Sequence, residues 1–202
     1  MIERMETAIA ELEKMFDCIN REFYSRELPR PIITIQTTPR AYGHCSTKKC
    51  WQAGKKEFYE INIGANTLGR KVENTVATLI HESVHLYCIE KGIKDTSGAY
   101  HNRIFKDLAE IRTLDITCDI KYGWTVTNPT KSTKDFIKKY GLKKITLNKG
   151  KVLNVKEKGS DTEKKKSSTR KYICPKCGNS LRTTKDLNIL CMDCNIQFVK
   201  VD

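Results

Sequence analysis

Two histidines four residues apart, His81 and His85, lie inside a segment patterned as a buried helix. From Lys71 to Lys91, Val72, Val76, Leu79, Ile80, Val84, Leu86, Tyr87 and Ile89 leave little polar surface, as expected of a helix at the centre of a fold. A helix turns every 3.6 residues, so side chains at i and i+4 project from one face. Two imidazoles and the intervening Glu82 are costly to bury there unless hydrogen bonds or a metal satisfy them. At this spacing two imidazoles can share a tetrahedral zinc at about 2.0–2.1 Å. Glu82, one residue on, stands beside the metal and can act as general base, taking a proton from water and passing it to a departing amine.

A catalytic zinc needs a third protein ligand and one open position. The chain has four histidines. His44 lies upstream in a loop, whereas His101 follows a Gly-containing loop at 92–98 and opens a helix expected over 101–113, with Ile104, Phe105, Leu108 and Ile111 along one face. Glu110 on that helix is the acidic alternative. A metzincin site would need Gly at 88 and His at 91, and Cys88 and Lys91 exclude it. His101, at a helix start beside a flexible turn, is preferred to Glu110, and the expected ligand set is His81, His85 and His101.

A second metal site is expected near the C-terminus. Cys174 and Cys177, then thirteen residues, then Cys191 and Cys194 form two CxxC turns that give four thiolates to one closed, structural zinc. Gly178 supplies the tight turn after the first pair. About 30 residues carry too little core to fold without the metal. Nine cysteines is an odd number, and the charged N-terminus MIERMETAIAELEKMF is unlike an export signal, so metal ligation explains these four better than disulfides. Cys18 and Cys88 read as core thiols, and Cys45 and Cys50 flank a polar loop before Trp51. No stretch approaches the roughly 18–20 apolar residues of a membrane span, and a cytoplasmic protein without membrane contact is expected.

The formal charge of +13 is unevenly spread. Residues 1–120 hold 17 Lys/Arg and 17 Asp/Glu, whereas 121–171 hold 16 against 4. The segment from Lys149 to Lys171, with Gly and Ser and few apolar residues, reads as a basic linker. Lys164, Lys165, Lys166, Arg170 and Lys171 are its candidate nucleic-acid contacts, and DNA is the expected partner, bound through its phosphates.

Periodicity fills in the scaffold. Ile2, Met5, Ile9, Leu12, Phe16, Ile19 and Phe23 predict an amphipathic helix over 3–25, ended by Pro29 and Pro31. Ile32–Thr37 and Phe58–Ile63 read as strands and sheet neighbours, and 133–140 as a short helix with Ser132 as N-cap and Gly141 as terminator. If Phe58–Ile63 is an edge strand beside the zinc, an extended substrate can add to it through main-chain bonds. The expected architecture is α+β, with a metalloprotease domain over 1–120, a basic linker over 121–171 and a four-cysteine zinc ribbon over 172–202.

At Thr78-Leu79-Ile80-His81-Glu82-Ser83-Val84-His85, at His101 with Phe105 four positions on, and at Gly43, Trp51 and Glu60-Ile61-Asn62-Ile63, the chain resembles the SprT-like metalloproteases, which include the Spartan proteases of DNA–protein crosslink repair. The resemblance covers roughly residues 8–120, and relatives also carry a C-terminal zinc ribbon. It departs at Tyr100 and Asn102, where the family commonly has Gly beside the third His. It implies a zincin-like fold and a zinc endopeptidase with one catalytic and one structural Zn2+, acting on proteins bound or crosslinked to DNA. The alternative is a zinc-containing nucleic-acid-binding or adaptor protein without proteolysis. The presence of Glu82, which a purely structural site would not require, favours the enzyme.

Overall fold

The structure, a computed structural model, describes residues 2–150 and 170–201. They fall into two compact units, Met1–Val152 and Leu153–Asp202. The first unit mixes helices with small sheets. Helix α1 (Met5–Tyr24) buries Ala8, Leu12, Met15, Phe16 and Ile19 along one stripe. Full burial of such a side chain is worth about 1.5–3 kcal/mol. The helix stops at Ser25, which adopts the left-handed conformation (φ 50°) and returns its N–H to Asn20, four residues before the first proline.

Three strands follow in one sheet: β1 (Ile32–Gln36), β2 (Gly43–Cys45) and, after the hairpin β3 (Trp51–Ala53) to β4 (Lys56–Phe58), β5 (Glu60–Gly64). The order is β1-β5-β2, with β5 parallel to β1 and antiparallel to β2. The expected pairing of the two predicted strands is present, but β5 is central, with β1 and β2 at the two edges. The continuous strand expected over Phe58–Ile63 breaks at Tyr59, so its first part turns away into the hairpin. Asn62, fully buried between Ile61 and Ile63, holds the end of β1 by accepting from the Gln36 N–H (2.7 Å) and the Thr34 hydroxyl (3.1 Å).

Helix α2 (Val72–Lys91) is the central element, in contact with α1 and with the sheet through β2 and β5. Gly92 ends it at φ 63°. A two-residue hairpin, β6 (Thr96–Ser97) and β7 (Tyr100–His101), leads into α3 (Arg103–Glu110). His101 therefore lies on a short strand and not within a helix; Asn102 caps α3 by accepting from the Phe105 N–H (3.2 Å), which sets the boundary two residues later than periodicity suggests.

Strands β8 (Leu114–Asp119) and β9 (Gly123–Pro129) and helix α4 (Lys131–Tyr140) complete the unit, with the second sheet ordered β6-β7-β9-β8. The domain boundary expected at 120 is thus too early, and residues 121–150 are not a linker. Phe136, Ile137, Leu142 and Ile145 are buried in the main core, while the eight lysines between 121 and 149 decorate the outside. Charge misleads here because lysine stems lie along apolar surface with their ammonium groups in water. Thr130, not Ser132, caps α4, in a reciprocal pair with Thr133.

The second unit is a small β structure of β10 (Arg170–Ile173), β11 (Ser180–Thr183), β12 (Leu190–Cys191), β13 (Ile196–Gln197) and β14 (Val199–Val201). Its sheets are β11-β10-β14 and β12-β13. Among the described residues, no helix is long and apolar enough to cross a membrane.

Candidate metal centres

Helix α2 places His81 and His85 on one face one turn apart, and β7 brings His101 across to them. The three Nε2 atoms converge: His85 lies 3.2 Å from His81 and 3.1 Å from His101. Two of these nitrogens cannot carry protons toward one another. The His81 Nδ1–H donates to Thr127 Oγ1 (2.8 Å), whose own hydroxyl donates to the Thr125 carbonyl (3.1 Å). The His85 Nδ1–H donates to Asp95 Oδ2 (2.6 Å). Both outer nitrogens being donors, the Nε2 atoms of His81 and His85 present lone pairs to the same point, an arrangement that a bound cation satisfies. Bonds of about 2.0–2.1 Å in a tetrahedron put ligand nitrogens about 3.3 Å apart, so the donor set fits zinc.

Burial favours the neutral rings that a metal requires. It pushes the His81 pKa well below the usual value and that of His101 down to about 4, in each case helped by repulsion from the neighbouring imidazoles. The fully buried ring of Phe105 lies 4.5 Å from the His81 centroid, 4.8 Å from His85 and 4.7 Å from His101, forming an apolar floor that restricts all three. His101 Nδ1 is buried without a hydrogen-bond partner among the described residues. Glu110 is not part of the cluster; it pairs with Lys106 at 3.4 Å on α3.

The strand β7 depends on a glycine. Gly123 pairs with His101 at φ 71°, and a Cβ there would stand 2.2 Å from the His101 carbonyl oxygen and 2.9 Å from the Tyr100 ring. Gly123→Ala is expected to cost about 1–3 kcal/mol from backbone strain alone, and more from the clash. Because that clash is with the strand carrying the third imidazole, metal affinity should fall together with the thermal midpoint, read by calorimetry and chelator competition.

Glu82 is buried on α2 beside the cluster, where desolvation pushes its pKa up to about 7 against the opposing pull of His85 and a hydrogen bond from the Cys45 backbone. Strand β2 packs directly on it. A Cβ on Gly43 would stand 2.8 Å from the Asn62 carbonyl oxygen and 3.1 Å from Glu82 Oε1, so only glycine lets this strand approach the carboxylate.

Asp95 and Thr127 are not identifiable from sequence. Neither has a motif; Asp95 sits in the loop after α2 and Thr127 on a strand hidden within the basic segment. Asp95→Asn keeps the shape and removes the charge that orients the His85 ring. Zinc affinity should fall about 10- to 100-fold, measured against a competing chelator.

In the second unit Cys174, Cys177, Cys191 and Cys194 converge, with all four sulfurs within 4.8 Å of one another. Cys177 Sγ and Cys191 Sγ are 3.8 Å apart and all four cysteines are free. Zinc–sulfur bonds of about 2.3 Å set the edge of a tetrahedron at about 3.8 Å, so this group also fits zinc. The two turns are alike: the Gly178 N–H returns to the Cys174 carbonyl (2.9 Å) and the Asn195 N–H to that of Cys191 (2.7 Å), with φ 75° and 52°. Amide donation from Cys177 and Lys176 draws the Cys174 pKa down to about 7, toward the thiolate a metal needs.

These are the two groups of potential ligands that converge among the described residues; Cys45 and Cys50 join neither. Of the expected nucleic-acid contacts, Lys164, Lys165 and Lys166 lie outside the described residues. Arg170 is held by Asp186 (2.9 Å) and the Thr184 carbonyl (2.6 Å), and Lys171 lies beside it on β10.

No family model matches the chain, and no solved structure matches it. An uncharacterized protein in the mucB 3'region of Salmonella typhimurium is 36% identical over 52 residues, which are 26% of this chain and 68% of that protein. On that likeness, the chain belongs to the same family as this Salmonella protein.

Proposed function

We propose that the first unit is a zinc-dependent endopeptidase of the SprT-like kind, associated with DNA and acting on proteins bound or crosslinked to it. The observation that carries this reading is the convergence of three imidazoles, with His85 Nε2 3.2 Å from that of His81 and 3.1 Å from that of His101 and all three ligand atoms within 4.8 Å of one another, next to the buried carboxylate of Glu82 and an open sheet edge. A structural site has no use for that carboxylate.

His81, His85 and His101 would hold the metal. Zinc held there supplies Lewis acidity and lowers the pKa of a bound water. The work of the chain is positional. Thr127 and Asp95 fix two ring orientations, Phe105 fixes the third side, and Glu82 accepts a proton and returns it to the leaving amine. Along β2, the carbonyl of Tyr42 and the amide of Ser46 bond to β5, so by alternation Gly43 and Cys45 turn their main-chain groups away from it. An extended substrate adds to this edge, β2, and not to β5 as the sequence suggests. The DNA association rests on the basic segment and on the resemblance.

The test is zinc content per chain together with cleavage of a DNA-binding protein, with and without DNA, in the parent and in Glu82→Gln. Two zincs and DNA-stimulated cleavage that the variant lacks support the proposal. One zinc and no cleavage would leave a nucleic-acid-binding protein.

A further inference from the structure

The hairpin β3–β4 is used by neither metal centre. Between Thr47 and Phe58 it carries Lys48, Lys49, Lys55 and Lys56 against the single acid Glu57, with Trp51 near its centre. Trp51 pairs with Phe58 and Ala53 with Lys56, so by the alternation of a strand Trp51, Lys56 and Phe58 share one face, and Lys49, two residues before Trp51, extends it. Trp51 is 43% exposed, far more than a packing role requires. It is not loose: its indole N–H donates to Glu60, which holds the ring by its edge. The Glu60 side chain is itself only 13% exposed and also faces His44, so its charge is turned inward.

Beside this face lies a concavity of about 350 Å³, lined by Arg30, Lys49, Lys56, Phe58 and Tyr59, with Glu57 its one acid. Lys49 Nζ stands 5.7 Å over the Tyr59 ring. The volume is near the lower limit of about 300–1,000 Å³ for small-molecule pockets, enough for a base and its phosphate but not for a duplex. Cations alternating with aromatic faces are what an unpaired strand needs: phosphates meet the ammonium groups and bases stack on the rings. An acidic peptide would use the lysines and leave Trp51 without a partner.

We infer that this face of the hairpin binds single-stranded nucleic acid, with Trp51 stacking on a base and Lys49 and Lys56 receiving phosphates; Arg30, at the rim, is already paired with Glu13 and Asp17 at 3.5 Å. The site is separate from the basic linker and stands independently of proteolysis. The hairpin continues from β2, the strand that abuts Glu82, so a strand bound here lies within one sheet element of the metal centre and could present an attached protein to it.

The experiment uses the zinc-loaded full chain carrying Trp124→Phe, which leaves Trp51 as the sole indole. Addition of oligo-dT should quench its fluorescence, and high salt should restore it. Lys49→Glu with Lys56→Glu should abolish the quench and reduce the slope of log affinity against log salt by about 1.4, at about 0.7 for each phosphate no longer neutralised. Trp51→Ala should weaken binding about five-fold or more. Cleavage of an unfolded protein free of nucleic acid should be unchanged by the lysine pair, which keeps this site separate from the catalytic reading. Should Trp124→Phe fail to fold, the anisotropy salt slopes of the parent and the lysine pair decide the matter. An oligo-dT titration that leaves Trp51 fluorescence and the salt slope unaltered would overturn the site, as would equal quenching by polyglutamate.

Discussion

Replacing Glu82 with Gln is expected to leave zinc at the histidine cluster and to lower turnover by about 10²- to 10⁴-fold, the usual range for loss of a positioned acid or base. Gln is nearly isosteric, which matters here because β2 packs against this side chain at Gly43 with no room to spare. The substitution removes a proton acceptor and leaves the three imidazoles, their Thr127 and Asp95 partners and the Phe105 floor untouched. Burial raises the Glu82 pKa to about 7, and a dication held by the imidazoles would oppose that rise. His81→Ala should lose zinc and turnover together. A Glu82→Gln variant that cleaves as fast as the parent, with its zinc in place, would remove the proposed mechanism while leaving the metal centre standing.

How much of this site is legible in the sequence follows from how local each part is. His81, Glu82 and His85 are fixed by helical periodicity within five residues, and the thiolates of the second unit by two turns of four. His101 can be chosen over Glu110 by its position after a turn, but its setting cannot be read. The strand that carries it exists because Gly123, 22 residues downstream, permits a close approach at φ 71°, and no local pattern reports a pairing of that kind. Asp95 and Thr127 are invisible for the same reason: each is defined by what it meets across the fold.

The fold divides in a similar way. The long helices α1 and α2 are legible because each buries a stripe or surface over five turns. The break at Tyr59 is not, because FYEINI alternates as one strand would and only the pairing of Trp51 with Phe58 diverts its first residues into a hairpin. The boundary at 120 fails for an energetic reason. Net charge marks residues 121–150 as a linker, yet Phe136, Ile137, Leu142 and Ile145 anchor the segment, and Lys139 is drawn to Glu22 on α1 at 2.7 Å. A surface ion pair of that kind contributes at most about 1 kcal/mol, far less than the buried side chains beside it.

Loss of zinc from the second unit is expected to unfold it. Its buried side chains among the described residues are Tyr172, Cys174 and Cys191, and two of the three are ligands; Leu187, Leu190, Met192, Val199 and Val201 are all exposed. Tyr172 alone ties the layers together, its hydroxyl accepting from the Leu187 N–H (3.2 Å) and meeting Asp186 (3.3 Å). One buried aromatic cannot offset the conformational entropy lost in ordering the unit. Zinc binding must supply the difference, and in comparable small metal domains it amounts to about 10–16 kcal/mol. Cys177→Ser isolates the effect, because it breaks this site and leaves the histidine cluster intact. Amide hydrogen exchange on the full chain should then lose protection throughout residues 170–201, with zinc content reduced by one per chain. The first unit, whose core is closed by its own residues from Ile2 to Leu147, should keep its protection. If β10, β11 and β14 stayed protected in the variant, the sheet would have a source of stability other than the metal.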